Sequence, residues 1–189
     1  ASEQNCLKEM LIIVSGLSIQ DPRERPADKQ QAADLKHRRF FDEQSDFTSF
    51  INLWNWAEQT RQETSQNQLK KQCQKDFINY LRIREWRETH LQIAGALKQL
   101  GLKENKEPAN HQAIHQALIA GLLSNVGFKN QEPGSRDYLG TRNRKFMIFP
   151  GSSLKKARPK WLVCAQMLET SQLFAHTVAK VEPEWILHY

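Results

Sequence analysis

The chain has 189 residues, a length that suits one medium domain or two small domains packed together. With 39% hydrophobic and 25% charged residues it has the composition of a soluble globular protein, and its longest apolar stretch is far short of the ~20 residues that span a bilayer. The formal net charge of +6 is uneven: residues 1–70 carry 9 Lys/Arg and 11 Asp/Glu, whereas residues 71–189 carry 18 and 10. These values exclude a membrane-spanning or strongly acidic chain.

The three cysteines lie far apart in the sequence, and no Cys-x-x-Cys pair occurs. This pattern predicts neither a disulfide framework nor a zinc site, but buried thiols in a reducing compartment, with the cytoplasm expected. His111 and His115 are four residues apart, but the general base of an HExxH helix and a third ligand are missing, so no metal is expected.

The first two-thirds of the chain has the apolar spacing of amphipathic helices. The first helix includes Leu7 to Leu17, and Pro22 and Pro26 prevent its continuation. Asp28 with Gln31 predicts a capping box for a second helix that reaches about Phe41. A cap at Ser45 or Asp46 begins a third helix, whose apolar face is Phe47, Phe50, Ile51, Trp54 and Ala57. A fourth apolar face is formed by Leu69, Cys73, Phe77 and Tyr80, and a fifth, which ends at Gly101, is formed by Ile83, Trp86, Ile93, Leu97 and Leu100. A last helix is predicted from about Ala109 to Leu123.

After Ser124 the pattern changes to short alternating segments with turn residues between them. Val126 and Phe128 alternate with polar neighbours, and two hairpins follow, with turns at 141–144 and 169–172. About five short strands in some 65 residues favour a small Greek-key barrel of the OB type. The predicted fold class is therefore α+β, with a helical bundle over residues 1–123 and a five-stranded OB-fold barrel over residues 124–189.

Motifs distributed along nearly the whole chain resemble, in the same order, the C-terminal accessory region of DEAH-box RNA helicases, in its bacterial HrpA-type version. The residues 17–26 match the pattern LS-x-Q-x-x-x-x-RP. The other matching segments are Ala33-Asp34 with Phe40 and Ser45–Phe47, Leu53–Trp56, Phe77–Trp86, Ala117–Leu123, Phe146–Leu154, Glu169–Ser171 and Glu182–Ile186.

The resemblance implies a ratchet-like helicase-associated (HA2) domain followed by an OB-fold, together holding single-stranded RNA. It also implies RecA-like and winged-helix domains elsewhere in the same parent chain, a protein activator as a further partner, and ATP and Mg²⁺ as cofactors of the parent. No G-x-x-x-x-G-K-[S/T] occurs in this chain, so no cofactor is expected in it and ATP hydrolysis is expected outside it. No membrane partner is expected.

The strongest charge concentration lies between Arg136 and Lys160, where eight basic residues accompany the single acid Asp137. Basic loops attract phosphate, and the turn between the last two strands of an OB-fold often contacts oligonucleotides. The candidate RNA-binding residues are Gln20, Arg23, Arg25, Arg84, Arg142, Arg144, Lys145, Arg158, Lys160, Thr170, Ser171 and Gln172.

Each of these groups also has a purely structural interpretation. Arg25 can pair with Asp21 or Glu24, and Arg84 can pair with acidic residues on its own or another helix. The basic turn at 142–145 and the polar turn at 170–172 can be ordinary solvent-exposed turns that bind nothing. The resemblance further places an Arg in relatives where this chain has His176, which makes His176 a doubtful RNA ligand. As an alternative function, the chain is a docking module for a regulator or for the helicase core, which an exposed apolar groove would favour.

Overall fold

The computed structural model describes residues 5–187 and shows a helical part followed by a closed five-stranded barrel. This confirms the predicted fold class, whereas the division at residue 123 stays a prediction. Among the described residues no helix is long and apolar enough to cross a membrane. The elements are α1 (Leu7–Leu17), α2 (Gln30–His37), α3 (Asp46–Glu63), α4 (Gln66–Lys75), α5 (Tyr80–Gln99), α6 (His111–Gly121), β1 (Val126–Lys129), β2 (Tyr138–Leu139), β3 (Lys145–Ile148), β4 (Trp161–Glu169), β5 (Leu173–Lys180) and α7 (Pro183–Ile186).

Local signals explain most helix ends. The Ser45 hydroxyl accepts a hydrogen bond from the Thr48 amide and caps α3 as predicted. Gly101 has φ +78, and the amides of Gly101 and Leu102 donate to carbonyls in the last turn of α5, which is the Schellman arrangement. A backbone that needs positive φ at this position explains why glycine ends the helix.

Two details of the helical prediction were wrong. The α2 helix begins at Gln30, and its N-cap position is held by Lys29 with no side-chain cap, so Asp28 and Gln31 form no capping box. The apolar face predicted to continue through Phe77 and Tyr80 is also interrupted, because α4 ends at Lys75. Phe77 has φ +56 and lies in the turn between α4 and α5, where the chain reverses.

The helical core surrounds Trp86 of α5, which is fully buried. Its indole Nε1 donates to the Ile12 carbonyl at 3.1 Å and the Ser15 hydroxyl at 3.0 Å, both in α1. A buried Trp is stabilised when its N–H finds such partners. The residues that form this core are Ile12, Phe40, Phe50, Leu53, Trp54, Ala57, Leu69, Cys73, Ile78, Ile83 and Trp86.

The strand order in the closed barrel is β1-β2-β3-β5-β4. Neighbouring strands are antiparallel except β3 and β5, which run parallel. A separate core fills the barrel, composed of Tyr138, Phe146, Ile148, Leu154, Leu162, Cys164, Ala175 and Val178. A third apolar cluster joins the two parts of the molecule and consists of Cys6, Ile13, Phe47, Ile114, Leu118, Ile119, Val163, Ala179 and Val181.

Candidate nucleic-acid interface

The strand register brings two of the predicted RNA-binding turns to one end of the barrel. Leu139 pairs with Lys145 across the β2–β3 turn, and Glu169 pairs with Leu173 across the β4–β5 turn. Met147 of β3 pairs with Phe174 of β5 in parallel. Lys145 precedes Met147 by two residues, so the β2–β3 turn lies at the same end as the β4–β5 turn. We call this region, formed by Arg142–Lys145 and Thr170–Gln172, the hairpin end.

The basic side chains of the hairpin end are exposed to solvent. Arg142, Arg144 and Lys145 are all in the exposed class, as are the three polar residues of the other turn. Arg142 and Asn143 have φ values of +60 and +56, an uncommon left-handed conformation for such residues. The Gly140 amide donates to the Arg144 carbonyl at 2.8 Å and closes the turn. The turn therefore presents three cations on an ordered backbone.

An aromatic cluster that the sequence analysis did not identify lies beside the hairpin end. Phe149 is 40% exposed, stacks on His176 with ring centroids 4.2 Å apart, and meets the edge of Phe174 at 6.3 Å. Burial lowers the pKa of His176 below its ordinary value, so the ring is neutral at pH 7 and offers a stacking face rather than a positive charge. The sequence feature that could have identified this cluster is the spacing of Phe174 and His176, which places both on one face of β5.

Arg158 and Lys160 lie at the opposite end of the barrel. Lys160 precedes Trp161 at the start of β4, and the turn of the hairpin end follows Glu169 at the end of that strand. Eight residue steps of roughly 3.3 Å separate those two positions by ~26 Å. The basic segment Arg136–Lys160 therefore does not form one continuous surface but contributes cations to both ends.

The candidates of the α1–α2 loop are held in ion pairs. Arg23 binds Asp21 at 2.9 Å, and Arg25 binds Asp34 at 2.8 Å. The predicted pairing of Arg25 with Asp21 or Glu24 was therefore wrong. Burial raises the pKa of Asp21, but the charge and hydrogen bonds of Arg23 outweigh this effect and leave that pKa below its ordinary value. Exposed ion pairs are weak, so Arg25 stays available to a phosphate.

The same loop is tied to the start of α5. The Asn79 amide donates to the Pro22 carbonyl at 2.7 Å, and the Arg82 guanidinium donates to the Asp21 carbonyl at 3.0 Å. Gln20 is exposed at the beginning of this tied segment. The neighbouring residues Asp21 and Pro22 are therefore held against the start of α5 without a ligand.

On α5 the predicted basic face is engaged with acids. Arg84 lies 3.5 Å from Glu88 on the same helix, and both side chains are more than 60% exposed. Arg87 donates to Glu58 of α3 at 3.1 Å. Arg84 therefore forms a solvent-exposed ion pair on its own helix, in line with its structural interpretation, and its side chain is still accessible to RNA.

His111 and His115 stack face to face at 3.8 Å, but the ring nitrogens of His115 are already used. His115 Nδ1 lies 2.6 Å from the His111 carbonyl and Nε2 lies 2.6 Å from the Ser45 hydroxyl. Burial, and next the charge of His111, lowers the pKa of His115 to about 3, so a neutral ring donates from Nδ1 and accepts at Nε2. Within residues 5–187 no group of three potential metal ligands occurs.

Two protein families match separate parts of the chain. Residues 1–80 match the family described as "Helicase associated domain (HA2), ratchet-like". Residues 114–189 match the family described as "Oligonucleotide/oligosaccharide-binding (OB)-fold". The two matches follow the same order as the helical part and the barrel.

A comparison over nearly the whole of this chain finds relatives that are named as ATP-dependent RNA helicases. The chain is 54% identical over 181 residues to the "ATP-dependent RNA helicase HrpA homolog" of Haemophilus influenzae, covering 96% of this chain. It is 48% identical over 186 residues to "ATP-dependent RNA helicase HrpA" of Escherichia coli, covering 98% of this chain. A more distant relative, 24% identical over 98% of this chain, is the "Pre-mRNA-splicing factor ATP-dependent RNA helicase prp22" of Schizosaccharomyces pombe. The chain spans only 14% of the length of each of the first two relatives.

Proposed function

Because the chain belongs to the HrpA-type family of ATP-dependent RNA helicases, as an accessory region with an HA2 domain and an OB-fold, we propose that it holds single-stranded RNA by the sugar-phosphate backbone. In this proposal RecA-like domains elsewhere in the parent protein bind ATP and Mg²⁺ and hydrolyse ATP. In this arrangement the chain binds the RNA strand and carries out no chemical step.

The observation that carries the proposal is the convergence of two turns at the hairpin end. Arg142, Arg144 and Lys145 supply charge, and Thr170–Gln172 supply hydroxyl and amide groups within the same end of the barrel. Phosphate contacts of this kind position a strand without reading its sequence. The adjacent Phe149, Phe174 and His176 add an apolar face on which bases stack, as is common in OB-folds that bind single strands.

The test is RNA binding by this chain across a salt series. Each phosphate contact to a single strand contributes about −0.7 to the slope of log K against log salt concentration. The triple substitution R142Q/R144Q/K145Q is therefore expected to weaken binding at low salt and to make the slope shallower by about 2. The measurement is fluorescence anisotropy of a labelled oligouridylate.

A matched control removes the same charge from the helical part. K98Q/K103Q/K106Q changes three exposed lysines that lie outside the barrel. If the control and the hairpin-end variant lower affinity and slope equally, binding is a diffuse charge effect and the proposed interface is wrong. Absence of binding by the unaltered chain even at low salt would instead favour the docking-module alternative.

A further inference from the structure

A groove at the end of the barrel opposite the hairpin end has no role in the contacts proposed so far. It encloses a volume of about 660 Å³ between the start of β4, the end of β1 and the β1–β2 loop. We call it the β1–β4 groove, and its lining includes the aromatic residues Phe128 and Trp161. This volume lies within the usual range of sites for small ligands and is large enough for a nucleotide.

The walls of this groove are ordered by their own hydrogen bonds. The Lys129 amide donates to the Lys160 carbonyl at 2.8 Å, and the Asn130 amide donates to the Asp137 carbonyl at 3.0 Å. The Arg158 guanidinium crosses to the Ser135 carbonyl at 3.0 Å. The β1–β2 loop is therefore attached at both of its ends and once more near its middle, so the groove is preformed rather than created by a ligand.

The groove combines an aromatic surface with positive charge. The rings of Phe128 and Trp161 are 5.4 Å apart at an angle of 42°, and both side chains are only partly buried. Lys129, Arg136, Arg158 and Lys160 line the groove, whereas Glu132 is the one acid among its lining residues. A partly exposed aromatic pair surrounded by four cations suits a ligand that is both planar and anionic.

We infer that the β1–β4 groove binds a nucleotide of the same single-stranded RNA, with a base against Phe128 and Trp161 and its phosphates facing the lysines and arginines. This inference rests on the proposed function and adds a second point of contact to it. A neutral sugar would also stack on the rings but would not need the four cations. The ~26 Å between the two ends is compatible with the roughly 4–16 nucleotides that one OB-fold occupies.

The inference is tested by comparing two oligomers of about 12 nucleotides, a length within the usual site size. One is oligouridylate, and the other is the abasic ribose-phosphate chain with the same charge. Base stacking contributes enough that the unaltered chain is expected to bind the base-bearing oligomer roughly fivefold or more tightly. F128L and, separately, W161L are expected to lower that ratio several-fold, whereas stacking on Phe149, Phe174 and His176 keeps it above one.

The ratio of the two affinities is the readout because a general folding defect weakens both oligomers together. F41L is the matched control, since Phe41 is an exposed aromatic residue of the helical part that lies outside both proposed contact regions. If Trp161→Leu unfolds the chain, the partly buried Phe128 and the exposed pair R136Q/K160Q still test the groove. The charge variant should weaken both oligomers and leave the ratio unchanged.

Three results separate the possible failures. A ratio that survives F128L, or that falls equally in F41L, overturns the groove as a stacking site. Equal binding of both oligomers by the unaltered chain overturns base stacking, while backbone holding remains. If neither oligomer binds even at low salt, the proposed function fails and this inference fails with it.

Discussion

At the scale of single residues, Asp46 connects the helical part to the barrel by four hydrogen bonds. Its buried carboxyl group accepts hydrogen bonds from the Ser152 hydroxyl, from the amide and hydroxyl of Ser153, and from the Val178 amide. Ser153 Oγ also lies 2.8 Å from the Asp42 carbonyl oxygen, a second acceptor for its single hydrogen. One side chain at the start of α3 therefore orders both the β3–β4 loop and the middle of β5.

Replacing Asp46 by Asn should destabilise the protein by about 2–4 kcal/mol, since hydrogen bonds to a carboxylate are among the stronger ones and an amide would turn its own donor toward other donors. The measurement is urea unfolding followed by circular dichroism. Asp28→Asn removes the same charge from an exposed position and should change stability by no more than about 0.5 kcal/mol. Equal midpoints for the two variants would contradict this role of Asp46.

At the scale of elements, the approach of α1 to α5 depends on a glycine. A Cβ atom at Gly16 would lie 2.9 Å from Trp86 Cζ2 and 3.2 Å from Phe50 Cδ1. Both neighbours belong to the helical core and are buried, so neither has space to yield. The absence of a side chain at Gly16 is what allows the indole of Trp86 to reach the carbonyl and hydroxyl acceptors of α1.

The same substitution in two helices should therefore have opposite effects. Gly16→Ala is expected to lower the free energy of unfolding by about 1–3 kcal/mol because it overpacks the core. Gly95→Ala, at an exposed site of α5 where a Cβ meets nothing within 4 Å, should raise it by about 0.5–1 kcal/mol through helix propensity. Thermal and urea unfolding of both variants checks the signs, and stabilisation by Gly16→Ala would show that the helices separate easily.

At the scale of the whole molecule, the helical part and the barrel share a core. Residues of α1, α3 and α6 pack with Val163 of β4 and Ala179 of β5. Beyond the end of β3 the free edge of β5 is covered by the chain before α3: the Lys180 amide donates to the Gln44 carbonyl at 2.8 Å, and Ser45 forms a bridge with Ala179. The edge is therefore paired within the chain and does not need another strand.

We expect the two parts to unfold in one transition, because separating them would expose the shared apolar cluster and leave the donors around Asp46 unpaired. Far-ultraviolet circular dichroism reports mainly the helices, and the reaction of the buried Cys164 thiol in the barrel core with a thiol reagent, located by mass spectrometry, reports the barrel. The two midpoints should coincide in urea. Separate midpoints would show that the predicted division at residue 123 separates two independent folding units.

Local chemistry explains why much of the architecture was predictable. The spacing of apolar residues, the Ser45 cap, Gly101 and the alternating segments after Ser124 each report on hydrogen bonds or burial within a few residues along the chain. At Asp28 and Phe77 the local patterns were misleading: a capping pattern and an apolar period were both present, but α2 begins after Lys29 and α4 ends at Lys75. Together with the ordered motifs, this local information was sufficient for the fold class and the family resemblance.

The position of the proposed interface depends on contacts between residues distant in sequence. The parallel pairing of β3 with β5 brings the two turns of the hairpin end together, and the length of β4 separates them from Arg158 and Lys160. The pairing of Arg25 with Asp34 and the groove lined by Phe128 and Trp161 likewise form only when separate elements pack. The periodicity of a strand shows which face is buried, but it contains no information about its neighbour or its register, and these are set by the closure of the barrel and the shared core.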